Sequence, residues 1–435
     1  MKITLVNSRL DTAGVTIRDQ IRVLLTDPAY RRKGIDWEFL EVEGRLIHQG
    51  GIDAGLSSDL LIFLSRHTSS RPVPVLTVHP TGNPGEALLG GEAGSFAPAA
   101  PGWMQAVLRN LVRVAPEGYR ASYEVTHHGP TLLSTPSFFV EIGSTEVEWS
   151  DPVAGAAVAE AVLTAAPADP INLIGFGGTH YAPRETAVAM ETRGAFGHIL
   201  HSREIGTLTG PLLAKIAAAA RAEAVYVDRK AIDRPALDHL YALLEATGLP
   251  LLGEKDLRQI RSLSWQEYWS LRQIAEKAAP GSHLIPGTLS DGGTLVTATV
   301  PADLLAQALG ADPGRIMAAI SRMPVAGLTG KGGVLLPIII TYERYRSQII
   351  HDLITLCVKT IREEQHAVID GDRLIIKKER FDPGLAARLG VPPGALFGML
   401  KGGQAVRVGD QVIEPEMVRS CTVTAIYLRG LERYT

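Results

Sequence analysis

Over its first 250 residues the chain alternates short, β-branched apolar runs with longer stretches whose apolar residues recur every three or four positions. That alternation constrains the fold more than any other feature. Runs of the first kind build strands, the second kind build helices, and their regular succession builds a layered α/β domain. Strands are expected at Ile3 to Val6, Trp37 to Val42, Leu60 to Leu64, Val73 to His79, Ser122 to His127, Phe138 to Ile142, Ile171 to Phe176 and Ala224 to Val227. Most are apolar on both sides, as in a sheet covered on both faces. Helices are expected at Val15 to Leu25, Trp103 to Val114, Val153 to Ala165, Leu212 to Ala222 and Pro235 to Ala246. The stretch Gly82 to Gly102, rich in Gly, Pro, Ala and Ser, reads as a long surface loop, either functional or a loose insertion.

The polar run Gly253-Glu254-Lys255-Asp256 marks a change of texture and divides a first domain, 1–254, from an α+β domain, 255–435. The second contains expected helices at Trp265 to Ala278, Ala302 to Leu309 and Arg346 to Glu364. It also has a hairpin in which Asp370-Gly371-Asp372 turns Ala367 to Ile369 into Leu374 to Lys377. With 435 residues, each part is long enough to bury its own core without disulfides. Cys357 and Cys421 show no metal-ligand or disulfide spacing, which fits a reducing compartment. The apolar stretch Ala154 to Ile174 is interrupted by Glu160, Pro167, Asp169 and Pro170, so it is too polar for a membrane span. Met1 to Val6 reads as a buried strand rather than a leader, and the expected location is the cytoplasm. A formal charge of −3, from 43 basic and 46 acidic residues, excludes a strongly basic DNA-packaging protein and leaves other nucleic acids open.

The chemistry concentrates in histidine. Nine of the 12 histidines precede residue 250, and several follow an apolar run directly: His67, His79, His127, His128 and His180. In a helix-covered sheet, ligands bind beyond the carboxyl ends of the strands, so polar residues recurring there point to one crevice. Adjacent strand residues face opposite ways, so only one of His127 and His128 reaches the crevice unless the strand has already ended. Glu141 lies inside an apolar run, where an unpaired charge is costly; it is a metal ligand, a general base, or a salt-bridge partner of Arg66 or Arg184. Glu146 and Glu148 read as first-turn charges after a Ser144/Thr145 cap.

Gly177-Gly178-Thr179-His180 lacks the glycine that a dinucleotide loop needs at position 180. It reads as a tight turn, or as backbone that approaches an anion or oxyanion, with Arg184 nearby. No HExxH or GxSxG occurs. A site of several histidines with Glu141 suits Zn²⁺, and the expected ligands are His79, His128, Glu141, His180 and His198. The expected catalytic residues are His127, His128, Glu141, His180 and Arg184. Arg66, His67, Gly177, Gly178 and Thr179 are expected at the substrate.

In order, Ser65-Arg66-His67, Thr126-His127-His128-Gly129-Pro130, Glu141-Ile142-Gly143-Ser144-Thr145-Glu146, Gly177-Gly178-Thr179-His180-Tyr181-Ala182-Pro183-Arg184 and Gly197-His198 resemble the archaeal and plant type of D-aminoacyl-tRNA deacylase. The resemblance covers roughly residues 1–250. It implies a three-layer α/β/α sandwich of phosphorylase/hydrolase-like type, zinc, and hydrolysis of the ester joining a D-amino acid to the 3′ end of tRNA. The expected state, which the sequence does not narrow further, is a monomer or homodimer. Another zinc hydrolase, such as a peptidase or peptidyl-tRNA hydrolase, and a tRNA-binding protein without turnover are the alternative readings. Beyond residue 255, Leu389 to Gly403 is similar to a short stretch of ribonuclease Z, without its HxHxDH motif. With Lys377, Lys378 and Lys401, that stretch suggests a domain that holds tRNA phosphates, or one that merely packs.

Overall fold

The computed structural model describes residues 1–260, 263–289 and 292–434 and divides into two compact units, Met1–Arg261 and Ser262–Thr435. The first unit runs β1 (Lys2–Ser8), α1 (Thr12–Leu24), β2 (Asp36–Val42), β3 (Leu60–Thr68), β4 (Val75–His79), β5 (Gly82–Asn83), β6 (Ser95–Phe96), α2 (Pro101–Val114), β7 (Arg120–Tyr123) and β8 (Ser137–Ser144). It continues through α3 (Glu146–Trp149), α4 (Pro152–Leu163), β9 (Ile171–Phe176), α5 (Pro183–Glu191), β10 (Gly194–Leu200), α6 (Gly210–Ala220), β11 (Ala224–Val227), α7 (Arg234–Glu245) and α8 (Glu254–Ile260).

Six strands form a sheet in the order β2-β1-β3-β8-β4-β7, and β10-β9-β11 form a separate parallel sheet. The class is mixed α/β. In the larger sheet β2, β1, β3 and β8 run parallel, whereas β4 is antiparallel to β8 and parallel to β7. One face carries α1, α2 and α4. Apart from Glu160, helix α4 is apolar all round because it lies between α1 and α2. Among the described residues, the other face of β1, β3 and β8 is covered by loops and short turns rather than by a long helix. There Val6, Leu61, Phe63 and Phe139 pack under Leu46, Ile52, Leu56 and Leu133 from loops and a single 3₁₀ turn. This second face leaves room for a site.

The stretch expected as a long surface loop, Gly82 to Gly102, is tied down rather than loose. Its ends pair as β5 and β6, Ala97 and Ala99 are buried, and the Asn83 amide donates to the carbonyls of Gly90 and Glu92. Strand β10 was not foreseen, since Gly194 and Gly197 dilute its apolar run; it is nonetheless buried along its whole length. The expected cap at residue 145 is present, with the Thr145 N–H donating to Glu148 at 2.8 Å.

The second unit runs α9 (Trp265–Ala278), β12 (His283–Pro286), β13 (Leu295–Thr299), α10 (Ala302–Ala311), α11 (Pro313–Ile320), β14 (Val325–Thr329), β15 (Leu335–Tyr342) and α12 (Arg346–Gln365). After these come β16 (Val368–Asp370), β17 (Arg373–Phe381), α13 (Pro383–Arg388), α14 (Ala395–Lys401), β18 (Val406–Val408), β19 (Gln411–Ile413) and β20 (Arg419–Tyr427). Its sheets, β12-β14-β15-β13, β16-β17-β20 and β18-β19, pair antiparallel throughout. The Leu389 to Gly403 stretch contributes Val391 and Leu400 to a small core with Ala386, Val406, Ile413 and Val418. Lys377 and Lys378, neighbours on β17, point to opposite faces, and Lys378 Nζ donates to Gln307 at 3.0 Å. They therefore cannot form one patch with Lys401.

Helix α1 approaches β3 so closely that a Cβ on Gly14 would stand 2.4 Å from the Leu64 carbonyl oxygen. In an open helix Gly→Ala stabilises by about 1 kcal/mol; here the sign should reverse. Gly14→Ala is expected to lower stability by about 1–3 kcal/mol, the cost of overpacking, as read from the urea midpoint at unchanged m-value.

Candidate active site

Register explains which side chains meet. Ser65 pairs with Glu141 and His67 with Gly143, while across the antiparallel seam Thr77 pairs with Glu141 and His79 with Phe139. Paired residues and those two apart share a face, so His67, Glu141 and His79 stand in a row on the loop-covered face, with Glu141 between the imidazoles. His67 Nδ1 lies 3.6 Å from one Glu141 oxygen, and His79 Nε2 lies 3.7 Å from the other. Glu124 follows β7, its N–H donating to Val78 at 3.1 Å, and joins the same face beside His79. His67 Nδ1 is 3.0 Å from Glu124 Oε1; His180 Nε2 and His127 Nε2 are 3.1 and 3.5 Å from Glu124 Oε2.

The strand ends at Tyr123, and His128 takes a left-handed turn with φ of 46°. Both members of the His127-His128 pair thus face the cluster, with ring centroids 4.4 Å apart. Nδ1 of His79, His127 and His128 donates to the carbonyls of Pro80, Val125 and Gly129 respectively, at 3.1, 2.8 and 2.7 Å. A carbonyl only accepts, so Nδ1 carries the proton, and neutral His127 and His128 keep the Nε2 lone pair for a ligand.

Charge settles accordingly. Burial opposes ionisation of Glu124, but the facing His180 and His67 imidazoles outweigh it and hold the carboxyl well below its usual range. Glu141 is likewise drawn down to about 2 by His67 and His79 against its burial. Burial also opposes a charge on His67, yet Glu124 and Glu141 push it up to about 11; His79 rises through Glu141. Burial and neighbouring imidazoles push His127 well down and His128 to about 4. The result is two carboxylates, two imidazoles favouring the cation and two kept neutral.

These residues fit a metal ion. The donor atoms of His79, His127 and His128, of His67, Glu124 and His180, and of His79, Glu124 and Glu141 each lie within 4.8 Å of one another. Moreover His79 Nε2 and both Glu124 oxygens are buried without a hydrogen-bond partner, since the close approaches to Glu124 lack hydrogen-bond alignment. Such orphaned atoms are expensive unless something else binds them.

Other expected residues lie elsewhere. His198 is corrected as a ligand: its Nδ1 meets Thr126 Oγ1 at 3.1 Å and its Nε2 meets the Ala97 carbonyl at 3.0 Å, so both nitrogens are used for structure. Arg184 is committed to Glu254 and, at 3.8 Å, to Asp228, away from the cluster. The Gly177 N–H donates to Leu200 at 3.0 Å and is unavailable to an oxyanion. Gly177 and Gly178 serve the turn instead, with φ of 113° and 80°, and a Cβ on Gly177 would stand 2.9 Å from the Asp228 carbonyl oxygen. Thr179 is exposed beside them. Arg66 and His67 do line the cavity over the cluster, with His127, His128, Glu141 and His180. The expected salt bridge from Glu141 to Arg66 or Arg184 is replaced by its two imidazoles.

Glu124 was missed. Its signal was the one that flagged Glu141, an acid within an apolar run, here Tyr123-Glu124-Val125. Tyr181, whose hydroxyl is 3.1 Å from His67 Nε2, was missed too and has no signal in the sequence.

Fold and site together define an α/β protein with a His/Glu centre able to hold a metal ion and open to a cavity of about 560 Å³, the size of a small-molecule site. The comparisons supply the family. The family model described as D-aminoacyl-tRNA deacylase matches residues 54–252. A D-aminoacyl-tRNA deacylase of Methanosphaerula palustris is 87% identical over 100% of both chains, and one of Methanoregula boonei is 49% identical over 100% of both. One of Methanosarcina mazei is 37% identical, covering 59% of this chain and 94% of that protein. A crystal structure of a conserved protein of unknown function is 34% identical with a TM-score of 0.54, covering 59% of this chain and 96% of that one. The chain belongs to the D-aminoacyl-tRNA deacylase family.

Two outcomes follow from this placement. His198→Ala is expected to lower the melting temperature, because Thr126 and Ala97 lose a partner. It should leave unchanged whatever metal content the native chain shows by native mass spectrometry, since His198 lies outside the His/Glu groups. Glu185, under the Gly177-Gly178 turn, is buried, both its oxygens lack a partner, and burial raises its carboxyl from 4.5 to about 8. A folded value above the unfolded one means that the neutral form's contribution is full below pH 4.5 and lost as pH rises through about 8. Melting curves of Glu185→Gln should show a gain over the native chain that grows across that window.

Proposed function

We propose that the His67, His79, Glu124, His127, His128, Glu141 and His180 cluster carries the hydrolysis of the D-aminoacyl-tRNA ester, the reaction of the family to which this chain belongs. The observation that carries the reading is Glu124. Its two buried, unbonded oxygens lie between His67 and His180 and beside the neutral His127, with His180 40% exposed toward solvent. His79, His127 and His128, with Glu124 and Glu141 behind them, would hold Zn²⁺, which takes imidazole and carboxylate and would take the place of the proton on His79 Nε2. When bound, zinc supplies Lewis-acid polarisation of the ester carbonyl and hydroxide near neutral pH.

The chain's own residues do the rest. His180, oriented by Glu124, takes a proton from the attacking water as its oxygen bonds to the ester carbon. Cationic His67 on the cavity wall faces the charge that develops on the carbonyl oxygen. As the carbon–oxygen bond to ribose breaks, the proton on His180 passes to the ribose oxygen, releasing D-amino acid and tRNA. Arg184 and Gly177 have no part in these steps.

The match of the D-aminoacyl-tRNA deacylase family model to residues 54–252 supports placing the reaction in the first unit. In the second unit, Lys377 and Lys401 are exposed and suited to tRNA phosphates. No described helix is long and apolar enough to cross a membrane; we read the protein as a cytoplasmic monomer or homodimer, with a first unit of phosphorylase/hydrolase-like α/β/α type.

Purified protein is expected to release tyrosine from D-tyrosyl-tRNA but not from L-tyrosyl-tRNA, and chelation should abolish the release until Zn²⁺ is restored. Activity that survives chelation would overturn the zinc assignment, and hydrolysis of neither ester would overturn the reaction. Glu124→Gln is expected to lower kcat by about a hundredfold or more while the protein still melts cooperatively; near-normal turnover would remove Glu124 from the centre.

A further inference from the structure

The cavity over the cluster extends beyond the reacting groups. Besides the histidines and the two acids, it is lined by Arg45, Arg66, Leu10, Leu46, Ile47 and Leu89. Among the described residues, neither Arg45 nor Arg66 has an ion-pair partner. Arg9, Arg18, Arg113, Arg184, Arg193, Arg203, Arg234 and Arg258 of the same unit are paired with carboxylates, while Arg22, Arg31, Arg32, Arg71, Arg109, Arg120, Arg221 and Arg229, which have no ion pair among the described residues either, do not line this cavity.

The two acids that line the cavity with them are turned elsewhere. Asp11 accepts from the Gly14 N–H, the Ser65 hydroxyl and the Arg66 backbone N–H, at 2.9, 3.1 and 3.1 Å, and Glu141 faces its two imidazoles. Arg66 is held over the indole of Trp149, 5.1 Å from the ring centroid, and that indole N–H donates to the His67 carbonyl at 3.0 Å. An aromatic face orients a guanidinium without neutralising it, so the fork of donors keeps its charge for a ligand. The same Trp149 ties that guanidinium to β3, the strand that carries His67 into the cluster.

We infer that Arg45 and Arg66, with Trp149 as a positioning residue for Arg66, form an anion subsite for the phosphodiester of the terminal nucleotide of tRNA. The inference rests on the reading of the cluster as the site of ester hydrolysis and deepens it. The subsite faces the same cavity as His127, His128 and His180, so one ligand reaches both. Planar guanidinium pairs suit phosphate oxygens, and holding the phosphate fixes the ester carbonyl over the histidines. Arg45, on a loop outside the family motifs, has no signal of its own in the sequence.

The test compares two small esters that differ only in the phosphate, D-tyrosyl adenosine and D-tyrosyl adenosine 5′-monophosphate, alongside D-tyrosyl-tRNA. The native protein is expected to favour the phosphate-bearing ester by about tenfold or more in kcat/KM. Arg45→Gln and Arg66→Gln should each remove most of that preference through KM, with a loss on the phosphate-bearing ester several times that on the nucleoside ester. On D-tyrosyl-tRNA each variant should also flatten the dependence of log kcat/KM on log salt by about 0.7–1. Trp149→Phe, which keeps an aromatic face but loses the indole donor, should raise KM for the phosphate-bearing ester with little change in kcat.

Equal losses on both small esters would show that the arginines only shape the pocket and would overturn the subsite. So would an unchanged salt dependence on tRNA. Competition by free inorganic phosphate as strong as that by adenosine 5′-monophosphate would point to a free-phosphate site and overturn the nucleotide assignment. Failure of the native protein on D-tyrosyl-tRNA itself would instead be failure of the underlying deacylase reading, a different result from any of these.

Discussion

Two carboxylates, Glu124 and Glu141, are buried on one face of a β-sheet, and much of the first unit is arranged around the cost of keeping them there. A buried charge that loses its partner destabilises a protein by about 3–5 kcal/mol. Here the compensation comes from imidazoles rather than from arginine or lysine. His67 faces both acids, His79 lies against Glu141, and His127 and His180 approach Glu124. Because imidazole changes charge near neutrality while guanidinium does not, a cluster built this way can move protons or bind a cation, where an arginine pair would be inert.

Strand direction places the imidazoles on either side of Glu141. Strand β8 lies between β3, which runs parallel to it, and β4, which runs antiparallel to it. Because β4 runs the other way, His79 pairs with Phe139, two residues before Glu141, while His67 pairs with Gly143, two residues after it. The imidazoles bracket the acid from both sides along one face. Covering that face with loops and a 3₁₀ turn rather than with long helices leaves the cavity that lets a substrate approach buried groups.

The second unit has its own core and antiparallel sheets, and the matches to shorter proteins cover 59% of the chain. In the second, the pleat of β17 decides which lysines share a face, and it separates Lys377 from Lys378 although they are adjacent in sequence.

By itself the sequence determined the α/β alternation, most of the strands, the histidine-rich segments and, through five motifs in order, the family. These are local properties: periodicity, turn chemistry and residue type survive in any short window. Only the tertiary structure decided which of those residues meet. It joined Glu124 to the cluster, turned both His127 and His128 inward, and sent His198 and Arg184 to structural partners. The physical reason is that strand direction, pairing register and the position of a chain reversal are set by contacts between segments distant in sequence. A one-residue change of register would move each of these side chains to the opposite face.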